Sequence, residues 1–273
     1  MSGASNWAWF IPCLIDLAFR ARAWRARPGS RPATSQTTVP ANQFILPIYF
    51  DLSATFLFGL TGALAAIKRG YDVIGLFALA FVTAVGGGLI RDGLFIQQGP
   101  PAVTADSRYI LIVLLACVVG LLFRDHVARF NVIIAGLDAL GLGAYAVVGV
   151  EKSLLAGLSV AAAILVGVIN AAGGGLLRDV LVRDEPLMFK PGQFYVLAAL
   201  FGASVFAALL LRFHKPVESA ALIAIGCTFV LRVLAIVFKW KTLAVADGIV
   251  AVSIGQAARS SQPPTRPDPK TTK

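Results

Sequence analysis

The chain has 273 residues, of which 58% are hydrophobic and only 14% charged, whereas soluble domains carry about 25% charged residues. This deficit leaves too little polar surface to cover a water-soluble globule, so the composition excludes that class and indicates an integral membrane protein. The formal net charge of +10 comes from basic residues in tails and short loops, where they set topology and meet anionic lipid headgroups. A nucleic-acid partner is not expected, because the sequence has no groove-reading or base-stacking module.

The first 44 residues form a basic leader ahead of the membrane region. An apolar stretch at 7–19 is followed by several arginines, whereas a signal peptide carries its positive charge before the apolar region. We expect an interfacial or disordered segment, and a start codon placed too early also fits.

Seven apolar stretches follow, most of them near the roughly 20 residues that a helix needs to cross a bilayer. The predicted spans are 45–67, 73–96, 109–123, 132–150, 154–182, 194–211 and 220–238. Each of the second and fifth spans is interrupted by a glycine triplet. Beyond the last span, 243–273 is predicted to be a largely disordered tail.

An internal duplication relates the two halves of the membrane region. A shift of 87 residues places Asp51 on Asp138 and the first glycine triplet on the second, with 12 identities in the 44 positions from 51 to 94. Seven of those identities lie in GGGLIRDGL and its counterpart GGGLLRDVL. Such a pattern, at a shared distance from an aspartate, indicates a true repeat.

Three spans per repeat is an odd number, so the second copy must enter the membrane from the opposite side. The predicted fold is therefore an all-α polytopic membrane protein with two inverted three-helix repeats, at 45–130 and 131–217, and a seventh helix at 218–242. Transport proteins with this architecture bind substrates and conduct ions near the midplane of the bilayer, between discontinuous helices of the two halves.

The glycine triplets, Gly86-Gly87-Gly88 and Gly173-Gly174-Gly175, lie midway along their spans. Each glycine inside a helix costs about 1 kcal/mol relative to alanine. A break in a helix at the middle of the membrane is tolerated only where the backbone is buried in protein or lines a cavity. We predict that both triplets kink their helices and that both kinks line a conduction path. The alternative is close helix packing at small residues.

Charged residues recur at equivalent places in the two repeats. Asp51 and Asp138 lie about two turns into the first helix of each repeat, and Arg91 and Arg178 lie 40 residues further on, near the far end of the second helix. Because the two helices are antiparallel, each pair shares a leaflet. Neighbours in sequence do not face each other on a helix, so we predict the ion pairs Asp51–Arg91 and Asp138–Arg178, at opposite mouths of the pathway. A clamp that only fixes helix register is the alternative.

Thr83 and Asn170 precede the two triplets at equivalent positions and would hydrogen-bond a hydrated ion, a freed backbone group or a neighbouring helix. Arg232, alone in the last span, is either a snorkelling residue or a pore cation. No catalytic constellation, cofactor motif or metal-ligand spacing is present, so an enzyme is not expected.

Basic residues predict the orientation, with the first span running inward and the C-terminus in the cytoplasm. Eight of them fall in the loops that would then be inside and four in the outer loops. The inner set is Lys68, Arg69, Arg124, Arg129, Arg183, Lys190, Lys239 and Lys241, and the outer set is Arg108, Lys152, Arg212 and Lys215.

The twice-written pattern of an aspartate, a glycine triplet and Arg-Asp resembles the prokaryotic trimeric intracellular cation channel (TRIC) family, which also carries the labels glycine transporter and UPF0126. The match covers about residues 45–240. The resemblance implies seven transmembrane helices in a bacterial inner membrane, membrane lipids as partners, and a homotrimer with an ion pathway in each protomer. It also implies permeation by monovalent cations, chiefly potassium, with sodium as the other candidate.

One residue departs from the family pattern. Animal members place a lysine before the second triplet, where this chain has Ala172, so regulation through that lysine is not carried over. A secondary transporter of a small zwitterion such as glycine, which the same inverted architecture would serve, remains the alternative function.

Overall fold

A computed structural model describes residues 45–124, 131–189, 194–238 and 240. The basic leader at 1–44 and the predicted tail at 243–273 lie outside these residues. Within them the chain forms seven helices of 15 residues or more and a single turn at Ala102–Ala105. The long helices are α1 (Ile48–Lys68), α2 (Val73–Ile90), α3 (Arg108–Leu122), α4 (Asn131–Leu155), α5 (Val160–Leu181), α6 (Tyr195–Leu211) and α7 (Val217–Val237).

Five helices are long and apolar enough to cross a membrane: α1, α2 with its extension to Ile96, α4, α5 and α7. The other two, α3 and α6, have 15 and 17 residues and are also apolar. The all-helical membrane fold predicted from the sequence is therefore confirmed. Large apolar side chains are exposed along α3, among them Leu111 and Leu122, as expected of a surface that faces lipid or another apolar partner.

The same turn joins the first two helices of each repeat. Gly70 and Gly157 adopt φ angles of 71° and 80°, the left-handed conformation that glycine adopts without a steric cost. The next helix is then capped by a side chain at the equivalent position, by Asp72 in the first repeat and Ser159 in the second. Residues that lie 87 positions apart are therefore equivalent in backbone conformation as well as in sequence.

Packing between helices follows the same pseudo-two-fold relation. The helix α1 packs on α2 and α3 as α4 packs on α5 and α6, and the repeats meet where α1 contacts α4 and α2 contacts α5. The seventh helix packs on α4 and α6, so it breaks the symmetry on the side of the second repeat. The largest apolar cluster is centred on that repeat, where it includes Leu142, Val147 and Phe206, and it extends to α1 and α7.

The fourth and fifth helices differ from the predicted spans. The helix α4 continues past Val150 to Leu155, and α5 begins at Val160 rather than at Leu154. The sequence assigned the Glu151-Lys152 pair to a loop because it is charged. Both residues can remain in the helix because each side chain has a partner within the protein: Glu151 accepts from the Leu46 N–H, and Lys152 binds Asp51. The turn that follows α4 forms at Gly157.

Both glycine triplets lie within helices, so the helices continue through them, and the kinks at the triplets stay predictions. The helix α2 runs through its triplet to Ile90, and α5 runs through its own to Leu181. The α-helical pattern changes only after the first triplet, where residues Arg91–Ile96 form a π-helix.

Candidate functional site

Two buried polar clusters occupy equivalent places in the two repeats. The first cluster comprises Asp51, Arg91, Asp92, Tyr109 and Lys152. The second cluster comprises Asp138, Arg178, Asp179, Tyr195 and Arg232. Arg91 and Asp138 are each 1% exposed, and groups of this kind within a membrane span are retained mainly where they serve a function.

The first cluster is centred on the carboxylate of Asp51. Its Oδ2 atom accepts hydrogen bonds from the Tyr109 hydroxyl at 2.6 Å and from Lys152 Nζ at 2.5 Å. Arg91 is bound by Asp92, with Nε 2.6 Å from Oδ1 and an Nη atom 3.0 Å from Oδ2. The partners come from α1, α3 and α4 and from the residues that follow α2, so this cluster joins both repeats.

The second cluster is centred on the guanidinium of Arg178. Its Nη1 atom lies 3.0 Å from Asp138 Oδ1, and its Nε donates to Asp179 at 2.9 Å. Arg232 of α7 lies close by, with its guanidinium carbon 4.8 Å from the centre of the Tyr195 ring. Because Arg232 is 2% exposed, its side chain is buried in the protein and does not snorkel to the headgroups.

One of the two predicted Asp–Arg pairs is confirmed and the other is wrong. Asp138 pairs with Arg178, whereas Asp51 pairs directly with Lys152 and only interacts with Arg91 electrostatically. The sequence missed this partner because it placed Lys152 in a loop.

The expectation that neighbouring arginine and aspartate do not meet is also wrong. Arg91 binds Asp92, and Arg178 binds Asp179. Side chains at consecutive helical positions diverge by about 100°. A long arginine side chain nevertheless bends back along the helix surface and reaches its neighbour.

Each Arg-Asp motif also fastens the segment that follows its helix. The second carboxylate oxygen of Asp92 accepts from the backbone N–H of Ala102 at 3.2 Å, and that of Asp179 accepts from Leu187 N–H at 3.1 Å. Each aspartate therefore holds the loop that follows its helix against the polar cluster. The residue that donates the hydrogen bond comes directly after Pro101 in the first repeat and after Pro186 in the second. The aspartates act as structural anchors as well as arginine partners.

The first two glycines of each triplet pack the repeats against each other. A Cβ atom added at Gly87 would overlap the carbonyl oxygen of Asn170, and one at Gly174 would overlap that of Thr83. A Cβ at Gly86 would lie 2.5 Å from a methyl group of Leu177. The contact is reciprocal about the pseudo-two-fold axis, so close packing accounts for these glycines.

The third glycine of each triplet instead faces a polar cluster. A Cβ added at Gly88 would have one neighbour within 4 Å, Arg91 Nη2 at 3.7 Å. At Gly175 the nearest atom would be the Tyr195 hydroxyl at 2.8 Å, with Arg178 Nη2 at 3.9 Å. These are the triplet positions that the structure brings next to the charged groups.

Thr83 and Asn170 are both buried but make different contacts. Thr83 donates to the carbonyl of Leu79 in its own helix at 2.6 Å. The amide nitrogen of Asn170 donates to the Tyr145 carbonyl at 2.7 Å, and its oxygen accepts from Arg91 at 3.3 Å. Asn170 therefore links the second repeat to the arginine of the first, whereas Thr83 has a local bond.

A stacked aromatic pair lies where the two repeats meet. The rings of Phe58 and Tyr145 are 5.2 Å apart and occupy equivalent positions in the repeats. The Tyr145 hydroxyl contacts Thr55 Oγ1 and the carbonyl of Ala84, while a Cβ at Gly174 would lie 3.5 Å from the Phe58 ring. The pair thus connects the surroundings of the first cluster with the second triplet.

Two cavities lie beside the first cluster. The inner cavity, of about 10 Å³, is bordered by Asp51, Gly88, Arg91 and Tyr145, among other residues. The outer cavity, of about 270 Å³, is bordered by Lys152 and by the loop from Gln98 to Pro100. Both cavities also border Asp92 and Ala102.

The two clusters lie at opposite ends of the protein. Lys152 of the first cluster and Asp138 of the second are both on α4, about 21 Å apart at a rise of ~1.5 Å per residue. The placement of the two clusters at opposite sides of the membrane stays a prediction. Within the described ranges, no group of three or more His, Cys, Asp or Glu side chains is placed to hold a metal ion.

Comparison with known proteins identifies the family. A family model described as "Glycine transporter" matches residues 48–125 and 135–211, which correspond to the two repeats. The UPF0126 inner membrane protein YadS of Escherichia coli strain K12 is 31% identical over 197 residues, which cover 72% of this chain and 93% of YadS.

Solved structures of TRIC channels share the fold. A TRIC trimeric intracellular cation channel orthologue from Rhodobacter sphaeroides superimposes with a TM-score of 0.65 at 35% identity, covering 70% of this chain and 97% of that one. A second structure, of a TRIC cation channel studied for its conductance, gives a TM-score of 0.64 at 30% identity, with 73% and 97% covered. The chain is therefore a multi-pass protein of the bacterial inner membrane and belongs to the TRIC/UPF0126 family, to which the glycine transporter model also corresponds.

Proposed function

We propose that the chain is a channel for monovalent cations, chiefly potassium, with a pathway inside each protomer of a homotrimer. The observation that carries the proposal is the pair of equivalent polar clusters at opposite ends of α4, each beside the third glycine of a triplet. The solved relatives are named as cation channels and as trimeric, which supports both the activity and the assembly.

The proposed pathway enters at the outer cavity and passes the first cluster and Gly88. It then follows the seam between the repeats to Gly175 and the second cluster. Because the first two glycines of each triplet close this seam in the structure, conduction requires α2 and α5 to separate there. Carboxylate oxygens at both ends attract cations, and the arginines keep each cluster near neutrality, so neither end binds a cation too tightly to release it. Along this path Asn170 links the two repeats through Arg91, and Thr83 lies at the equivalent position of the first repeat.

The orientation completes the proposal, with the C-terminus in the cytoplasm. Lys152 belongs to α4 and pairs with Asp51, so it no longer counts among the basic residues of the outer loops. Its removal from that set increases the excess of lysine and arginine on the inner side, which favours the same orientation.

One feature favours a second candidate, a carrier for a small zwitterion. The first cluster presents carboxylate and cationic groups side by side, as a binding site for glycine would require, and the matching family model is named for glycine transport. A carrier would move such a solute by alternating access between the two repeats.

Recording from the purified protein in a planar bilayer under a potassium gradient separates the two functions. A channel gives step-like currents that reverse close to the potassium equilibrium potential. Saturable glycine uptake into liposomes without current steps would favour the carrier. The absence of both fluxes would contradict any transport function.

A further inference from the structure

Lys152 breaks the symmetry between the two clusters. Its ammonium group reaches from the last turn of α4 to Asp51 in α1, with an Nζ–Oδ2 distance of 2.5 Å. The equivalent position in the first repeat is Ala65, so no lysine reaches Asp138 in this way. A cationic side chain therefore lies directly on the carboxylate at one end of the proposed pathway.

The ion pair lies between the two cavities of the first cluster. Asp51 borders the inner cavity and Lys152 borders the outer one. The inner volume of about 10 Å³ is close to the least that holds one water molecule. The outer volume of about 270 Å³ has room for the ammonium group together with several water molecules. The lysine side chain is also 30% exposed, so it has an open space into which it can move.

A lysine ammonium resembles a monovalent cation in the respects that matter at this site. It is a compact, strongly hydrated single charge on a flexible four-carbon chain. Carboxylate and hydroxyl oxygens, which Asp51 and Tyr109 supply, are also ligands for hard cations. Arg91 borders the same inner cavity as Asp51. A free cation that bound Asp51 beside the ammonium would therefore meet strong like-charge repulsion.

We propose that Lys152 is a tethered cation, whose ammonium group occupies the site at Asp51 that a permeating monovalent cation binds. Conduction through this end then requires the ammonium to leave Asp51 for the outer cavity while the free cation takes its place. The proposal rests on the proposed cation conduction and adds to it a defined binding site and the group that competes for it.

A purely structural role predicts a different response to substitution. If the Lys152–Asp51 ion pair only held α1 to α4, replacing the lysine would lower the stability of the protein, and potassium would not restore that stability. A tethered cation leaves behind a site that potassium fills, and a ligand that binds only the folded state raises its stability. The dependence of stability on potassium therefore distinguishes the two roles.

The test compares full-length Lys152→Met and Lys152→Gln with wild type, Lys152→Arg and the double variant Asp51→Asn/Lys152→Met. Thermal unfolding in detergent is measured as choline chloride is replaced by potassium chloride at constant ionic strength. We expect potassium to raise the Tm of Lys152→Met and Lys152→Gln by several degrees. No such rise is expected in wild type, Lys152→Arg or the double variant. Lys215→Met, which removes an exposed lysine that belongs to neither cluster, is the matched control.

Planar-bilayer recording of the same proteins gives the second measurement. We expect Lys152→Met to raise the open probability about tenfold or more, since a charge-assisted hydrogen bond is removed, and Lys215→Met to behave as wild type. Currents in all variants without a gain in Lys152→Met, and without potassium-dependent stabilisation, would overturn the tethered cation and leave the channel intact. Stabilisation of Lys152→Met by potassium with no current from any variant would support the site and refute the channel.

Discussion

Replacing Gly87 with alanine tests whether the glycine triplets serve packing. The added methyl group would overlap the carbonyl oxygen of Asn170, a backbone atom that has no rotamer to escape into. The helices α2 and α5 would have to separate at the centre of the protein. Gly88→Ala is the matched control, because its methyl group would meet only Arg91 Nη2, at an ordinary contact distance of 3.7 Å.

The size of the effect follows from the comparison of these two variants. Both gain about 1 kcal/mol from the higher helix propensity of alanine, so that gain cancels between them. Overpacking of a tight contact costs about 1–3 kcal/mol. At about 2–4 °C per kcal/mol for a chain of this size, Gly87→Ala is expected to unfold about 2–12 °C below Gly88→Ala.

Thermal unfolding of both variants in the same detergent, followed by the loss of the monodisperse peak in size-exclusion chromatography, measures this difference. Gly174→Ala, which meets the Thr83 carbonyl oxygen, should behave as Gly87→Ala does. Equal Tm values for Gly87→Ala and Gly88→Ala would refute the assignment of the first two glycines to packing.

Three further predictions use the same unfolding measurement. Asp138→Asn and Arg178→Gln should each cost up to about 3–5 kcal/mol, because each removes one charged partner of a buried charge, although Asp179 still binds Arg178 in Asp138→Asn. The double variant should lose clearly less than the sum, and additive losses would argue against the pair. Gly157→Ala should cost about 1–2 kcal/mol, because a residue with a Cβ is strained at a φ of 80°, and an unchanged Tm would contradict this. Tyr145→Phe should cost about 1–3 kcal/mol, since its buried hydroxyl has two partners, whereas Tyr71→Phe, at a residue that is 42% exposed, should leave the Tm unchanged.

The fold was largely predictable from the sequence because two strong signals agree. Apolar stretches of membrane-spanning length gave the helices, and the 87-residue repeat gave their pairing. The repeat also fixed the equivalence of Asp51 with Asp138 and of the two Arg-Asp motifs. Boundaries were predicted less well around Lys152, because charge indicates a loop unless a buried partner is known in advance.

The candidate site was predicted only in part, because its contacts cross between repeats and helices. Asn170 binds Arg91, and Lys152 binds Asp51. No spacing along the chain reveals such partners. The repeat did carry one unused signal, since Phe58 and Tyr145 occupy equivalent positions and prove to be stacked. The role of Arg232 depends on α7, which has no counterpart in the repeat, so symmetry gave no guidance there.

The most direct test of the pathway is the reaction of a single cysteine at Gly88 in a protein whose Cys13, Cys117 and Cys227 are replaced. A cationic methanethiosulfonate reagent is added during planar-bilayer recording, and labelling is checked by mass spectrometry. If the pathway passes the first cluster, modification of Gly88→Cys blocks the potassium current, while Lys215→Cys, at an exposed position in the loop before α7, labels without block. An unchanged current through fully labelled Gly88→Cys would contradict a conduction path beside the third glycine.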